Sequence, residues 1–319
     1  MAINTTSTLT ANLWTYYNKR LLSRLENTLR LYQLGEKRPL PKGYGKVVYF
    51  LRYNNMNVSD AQVLVEGTPP TDTALSSVNV TAEIVQYGNY TILSDLIQTT
   101  AIDPVVNSAI DILSYNAAEK IDTVIRTELD ATGAEQFANG KTALSSTGAS
   151  DVLTAKELLK AATVMKANAV PSRSDGNYVA VAHPAVTYDV MNDTATGSWI
   201  DINKYVGKQE AYKGEIGKAY GVRVIESQNM SSTTSGTSGG AKVYNTLVLG
   251  AEDFAVIELS GHNLKTFIKS LGSAGTADPL DQRSTVGFKV TWAVKYLGGA
   301  GAFDTDRHIK IRSGTASGI

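Results

Sequence analysis

The chain contains no cysteine, which excludes disulfides, thiolate metal sites and cysteine nucleophiles. It has no run of 18 apolar residues, so no stretch reads as a membrane-spanning helix. Net charge is also absent: 30 basic and 30 acidic residues cancel. A dedicated nucleic-acid binder, which needs a strongly basic domain, is therefore not expected. Histidine is limited to His183, His262 and His308. They are far apart and lack ligand spacing, so no metal site is expected. Met1 to Thr10 lacks the charged segment and apolar run of a secretory leader, and the chain is expected to fold in a cytoplasm.

What is present is a globular composition. The chain has 319 residues, 43% of them hydrophobic, enough for two or more domains at about 100–200 residues each. Charge is unevenly spread. Residues 1–46 hold eight lysines and arginines against Glu26 and Glu36, a net +6. Such an arm can touch polyanions weakly or dock on an acidic neighbour.

One long helix organises the rest. Asp103 is a suitable N-cap, Pro104 suits the first helical position, and Gly133 suits the left-handed residue that ends a helix. The spacing predicts a helix over 104–132, a rod of roughly 42 Å. Val106, Ala109, Ile110, Leu113, Ala117, Ile121 and Val124 form its apolar stripe. Ser108, Asp111, Tyr115, Glu119, Asp122 and Arg126 occupy the other face, with Asp122 and Arg126 spaced for an i,i+4 pair.

A second helix is expected from Thr10 to Leu34, closed by Gly35, with Trp14, Tyr17, Leu21, Leu25, Thr28 and Tyr32 at helical spacing and the basic residues mostly off that stripe. Pro39, Pro41, Gly43 and Gly45 then read as a loose linker. Residues 46–98 are β-rich, with Val78, Val80, Ala82 and Ile84 alternating against Asn79, Thr81 and Glu83. Between the strands lies a polar, proline-stiffened tip, Glu66 to Asp72, carrying Pro69 and Pro70. An isolated hairpin is marginally stable in water, so this one must rest on something.

Residues 136–259 read as an α+β unit. Thr154 to Glu157 reads as a capping box ahead of a helix to about Asn168. Tyr178–Ala182 is a strand, His183-Pro184 opens a helix, and Ala219–Ile225 reads as one strand. Ser227 to Gly240 is a Ser/Thr/Gly loop. Val286, Phe288, Val290, Trp292, Val294 and Tyr296 alternate with the residues between them. This long strand, 285–297, suits packing on the long helix. Arg307–Arg312 is the last strand.

Catalytic motifs are weak. Gly236 to Gly240 matches Gly-x-Ser-x-Gly around Ser238, but inside a low-complexity loop rather than at a strand–turn–helix elbow. Gly214 to Lys218 lacks phosphate-loop spacing and is followed by Ala219. Asp304-Thr305-Asp306 reads as a solvated turn. No catalytic, cofactor or metal residue is assigned.

The order of parts resembles the major capsid proteins of tailed bacteriophages. The resemblance covers roughly residues 10–312. It is carried by Tyr178–Asp189 (YVAVAHPAVTYD), Lys204–Gly221, Gly217–Ser227 (GKAYGVRVIES) and Pro279–Lys295 (PLDQRSTVGFKVTWAVK). It implies an α+β fold with an N-arm (1–45), an E-loop excursion (46–98), a P-domain (99–135 with 260–319) carrying the spine helix, and an A-domain (136–259).

It further implies a structural subunit that self-assembles as hexamers and pentamers into an icosahedral shell around genomic DNA. Such a subunit is made in the host cytoplasm and ends in the virion. E-loops would lie over neighbouring subunits. Portal, scaffolding or decoration proteins are further partners, and contact with DNA would be non-specific. The assembly contacts expected are Trp14, Tyr17, Arg20 and Arg24 on the arm and Glu66, Pro69, Pro70 and Asp72 on the excursion. Residues 1–40 and 55–76 are expected to order only on assembly. The competing readings are an encapsulin-type compartment subunit and, in another class, a serine hydrolase using Ser238.

Overall fold

The computed structural model describes residues 29–54, 56, 58–64, 66–67, 69–101, 104–194, 199, 215–260, 264–298 and 306–316. In chain order the strands and α-helices are β1 (Glu36–Leu40), β2 (Val47–Tyr53), β3 (Ser77–Glu83), β4 (Val85–Ser94), α1 (Asp95–Thr100), α2 (Val105–Asp130), β5 (Ala134–Phe137), α3 (Ala155–Ala167), β6 (Tyr178–Ala182) and α4 (Pro184–Asn192). They continue with β7 (Glu215–Ala219), β8 (Val222–Glu226), β9 (Ser232–Thr233), β10 (Val243–Leu249), β11 (Phe254–Leu259), β12 (Lys265–Lys269), β13 (Arg283–Tyr296) and β14 (His308–Ser313).

The long helix α2 forms where its periodicity places it. Ile110, Leu113, Ala117, Ile121, Ile125 and Leu129 are buried along one face, with Val106, Ala109 and Val124 half-buried at its margin. Each fully buried Leu or Ile contributes about 1.5–3 kcal/mol. Both helix ends differ from expectation. Pro104 is the N-cap rather than the first helical residue, and Asp103 lies outside the described residues. The helix ends at Asp130, three residues before Gly133, which is left-handed at φ 78°.

Asp122 is the larger correction. It is buried, and its carboxylate accepts the backbone N–H groups of Arg30 (2.9 Å), Leu31 (3.4 Å) and Tyr32 (3.4 Å). Arg126 turns to Asn229 instead, its Nη1 donating to the Asn229 carbonyl (2.6 Å) and Oδ1 (2.8 Å), with Asp130 3.9 Å away. The expected pair fails because residues 30–32 bring three backbone N–H groups to the buried Asp122 carboxylate, and donors held away from water would be costly to leave unpaired.

β13 is the centre of a five-stranded sheet. β4 runs antiparallel along one edge, from Arg283 opposite Ser94 to Trp292 opposite Val85. The other edge is shared by β11, beside Trp292–Tyr296, and β12, beside Thr285–Lys289. Val286, Phe288, Val290 and Trp292 pack with the apolar face of α2, as the alternation requires. β1 adds in parallel to β11. The stretch expected as a loose linker, and as unordered outside the shell, is thus a paired strand over residues 36–40. Its Pro39 is tolerated because β1 is at the sheet edge. The part of the Thr10–Leu34 helix that is described is not α-helical: Tyr32–Leu34 is a 3₁₀ turn and Gly35 is extended (φ −77°).

The second sheet runs β5–β14–β10–β6–β8–β7, with β9 on β10. It is buried on both faces. Val179, Val181, Ile225, Leu247 and Leu249 belong to the core of α2, while Ala180, Val222, Val248, Ile309 and Ile311 pack with Leu158, Ala162 and Met165 of α3 and Val186 and Val190 of α4. This explains the unbroken apolar run of β6.

Strand pairing redraws the expected boundaries. β4 lies in the first sheet, so the hairpin β2–β3 is shorter than residues 46–98. β11 also joins the first sheet, although 136–259 was expected to be one unit. β14 joins the second, although 260–319 was expected with α2. Ala219–Ile225 is two strands around a tight turn at Tyr220 (φ 51°) and Gly221 (φ 80°). The capping box does not close: the Glu157 N–H donates to the Thr154 carbonyl rather than its side chain, and the Glu157 carboxylate, which would turn back to the Thr154 N–H, accepts from Gln136 and the Asn139 N–H instead.

Candidate assembly surface

The described residues do not build the chemistry that the weak motifs suggest. Ser238 is exposed on a single 3₁₀ turn, Ser238–Gly240, and β10 rather than a helix follows it. The elbow that would strain and aim a nucleophile is missing. Gly217 and Lys218 lie within β7, so the apparent phosphate loop is a strand. His183 caps α4: its Nδ1 accepts the Ala185 N–H at 3.1 Å, and its ring stacks on Tyr244 at 4.4 Å. Burial and nearby Lys242 hold its pKa below the ordinary value, which keeps Nδ1 able to accept. His262, Asp304 and Thr305 lie outside the described residues. Among the described residues no three His, Asp or Glu side chains gather as a metal site.

The surface instead offers unpartnered apolar area. β2 and β3 form a two-stranded sheet whose base stands on the five-stranded sheet. Val48 and Phe50 of β2 and Ala82 and Ile84 pack on Ile257 and Ala293. Val47, Tyr49, Leu51 and Tyr53 point the other way and are exposed, as the two-residue period demands. At the far end of the excursion Val63 (93% exposed), Leu64 and Leu75 are also uncovered. Residues 54–82 carry Asp60, Glu66 and Asp72 and no lysine or arginine.

The face of the first sheet that holds the hairpin is bare at its opposite end. Gly287 stands opposite Tyr90 of β4 on one side and Phe267 of β12 on the other. Both rings are exposed, and with Gly287 they line a groove of about 430 Å³. The missing side chain makes the groove: a Cβ on Gly287 would fall 2.7 Å from Tyr90 Cβ. Lys265, Lys269 and Lys289, all exposed, lie on the same face by register. The groove is apolar at its floor and basic at its rim. The excursion tip is apolar and acidic.

The expected contacts fare differently. Glu66, Pro69, Pro70 and Asp72 are exposed on the tip, while Trp14, Tyr17, Arg20 and Arg24 lie outside the described residues. Sequence reading missed Tyr49, Tyr53, Tyr90, Phe267 and Gly287. The alternating Lys-Thr-Phe-Ile-Lys of β12 was a usable signal; the pairing of Tyr90 with Gly287 was not.

Comparison with known proteins agrees with this architecture. A family described as phage capsid protein matches residues 78–307. No curated protein matches the chain in sequence. Among solved structures it is similar to the capsid of Ralstonia phage GP4, at 15% identity and a TM-score of 0.69 over 90% of this chain and 88% of that one. The cyanophage Pam1 capsid is similar at 15% identity and a TM-score of 0.65, over 92% of both chains. The capsid of Helicobacter pylori bacteriophage KHP30 is similar at 12% identity and a TM-score of 0.66, over 90% of this chain and 92% of that one.

Proposed function

The chain belongs to the phage capsid protein family and is a structural, self-assembling subunit of a virion shell, and on that premise we propose how its copies engage. The acidic, apolar tip of one subunit's excursion docks in the groove between Tyr90 and Phe267 of the next. The reading rests on the complementarity of residues 54–82, which carry three acidic residues and no basic one, to a groove rimmed by Lys269 and Lys289, with Lys265 beside Lys289 on the same face. Opposite charge sets register and partner choice, and apolar burial supplies affinity. Each subunit both gives a tip and receives one, so modest contacts multiply.

In this reading residues 1–45 are the arm, the β2–β3 hairpin is the E-loop, the first sheet with α2 is the P-domain and the second sheet is the A-domain. Copies close into hexamers and pentamers in the host cytoplasm. Portal, scaffolding or decoration proteins join the shell. A net charge of zero cannot neutralise many phosphates, so contact with packaged DNA is weak and non-specific.

Charge reversal tests the docking. Lys265, Lys269 and Lys289 changed together to Glu should leave unassembled subunits, as should Asp60, Glu66 and Asp72 changed together to Lys. A chain carrying both sets should form shells again by electron microscopy. Normal shells from either single set would refute the pairing.

A further inference from the structure

His308 is fully buried where the two sheets meet the end of α2, and both its ring nitrogens face acceptors. Nδ1 lies 3.0 Å from Asp253 Oδ1, and Nε2 lies 3.0 Å from the carbonyls of Leu129 and Thr132. A neutral imidazole has one N–H and one lone pair. Either tautomer would therefore aim a lone pair at an oxygen. The imidazolium satisfies both sides. Asp253 Oδ2 is buried without a hydrogen-bond partner, so this carboxylate also needs a cation beside it.

The ring ties together segments distant in sequence. Asp253 leads into β11 of the first sheet, His308 begins β14 of the second, Leu129 is in the last turn of α2 and Thr132 lies just past its end. Tyr296 of β13 packs edge-on against the ring at 4.9 Å. The space is built for it: Gly133 is left-handed, and a Cβ there would lie 2.2 Å from Nε2. The other charged groups at this join have partners of their own. Lys310 bonds the Asp130 carbonyl and Glu135, Lys295 pairs with Glu128, Arg307 with Glu252, and Asp306 with the Tyr296 hydroxyl.

We propose that His308 is a proton-dependent latch: as the imidazolium it pins both sheets to the end of α2, and on losing its proton it frees the second sheet to move against the helix. Burial alone would lower the ring's pKa. The Asp253 carboxylate, with its hydrogen bond and those of the two carbonyls, outweighs burial and raises it above the ordinary 6.5. A group that binds its proton more tightly when closed favours closure at low pH, and that closure is lost as pH rises through the raised value. This inference goes beyond the docking reading and applies to a single subunit.

Hydrogen exchange of the full-length protein from pH 5.5 to 9.5, corrected for intrinsic rates, tests it alongside NMR titration of the three histidines. Protection at residues 127–133 and 308–312 should fall by up to about tenfold per pH unit between about 6.5, where the opened ring titrates, and the raised pKa of the closed ring, and level off above it. β6 should hold constant, and His308→Gln should abolish the pH dependence. The His308 ring should titrate above 6.5. A local profile no steeper than that of β6, or a ring titrating at or below 6.5, overturns the latch. If His308→Gln does not fold, the wild-type titration and exchange profile decide it.

Discussion

Asp122 accepts the backbone N–H of Arg30 at 2.9 Å from the middle of the long helix, and this bond ties the segment ahead of β1 to that helix. Leu31 and Tyr32 donate to the same carboxylate. Residues 30–32 and the helix are joined by one side chain that answers three consecutive donors.

Removing that side chain should be costly. Asp122→Ala leaves buried N–H groups without an acceptor, at about 1–3 kcal/mol for each group left unsatisfied. Chemical denaturation should show a loss of at least about 2 kcal/mol, and proteolysis near Arg30 should accelerate. Asp122→Asn keeps an acceptor and should lose less.

The same residue sets a pH dependence. Burial raises its pKa from 3.8 to about 6, against the pull of the three N–H groups and Arg30. Between these values the native chain holds a proton that the unfolded chain has released. Stability therefore declines as pH rises from about 4 to about 6, by roughly 2–3 kcal/mol. Asp122→Asn should remove that slope. An identical slope in the variant would assign it to other groups.

Two isoleucines two residues apart on the long helix should diverge. Ile110 is wholly buried, whereas Ile112 is 69% exposed. Ile110→Ala should cost about 2–5 kcal/mol, and Ile112→Ala should change subunit stability by about 0.5 kcal/mol or less. Denaturation midpoints of the two variants would separate them.

The groove predicts a split between folding and assembly. Phe267→Ala alters an exposed ring and should leave subunit stability within about 0.5 kcal/mol, yet assembly should fail. Gly287→Ala brings a Cβ to 2.7 Å from Tyr90 Cβ and 2.9 Å from the Asn89 carbonyl. It should cost about 1–3 kcal/mol in the subunit itself. Paired denaturation and sedimentation measurements distinguish the two effects.

Lys310 should matter although it touches no partner subunit in the proposed docking. Its Nζ donates to the Asp130 carbonyl at 2.8 Å, near the end of the spine helix, and the side chain is almost wholly buried. Lys310→Met keeps the length and removes the cation from the negative end of the helix. A loss of about 1–3 kcal/mol in denaturation is expected.

Local pattern made much of this fold legible. α2 and β13 were readable because each buries one continuous face, which imposes a period on the sequence. β3 was readable for the same reason. β1 was not, since Glu36-Lys37-Arg38-Pro39-Leu40 has no strand pattern and is extended because β11 offers it an edge. β7 and β8 read as a single strand because Ala219 to Ile225 is apolar through the turn; Gly221 was the clue. The tip of the excursion could be named from its prolines and charges, but its receiving groove could not. Tyr90, Phe267 and Gly287 are neighbours only through the register of three strands.

Composition and periodicity alone determined that this chain has no thiol chemistry, that it turns on one amphipathic helix and one long strand, and that an extended hairpin is left needing support. Those properties depend on neighbours within a few residues, which a sequence states directly. The tertiary structure alone decided that Asp122 holds residues 30–32, that His308 sits between Asp253 and the end of the helix, and that a missing side chain at Gly287 opens a groove. Each depends on groups tens to hundreds of residues apart, and only chain packing makes them meet.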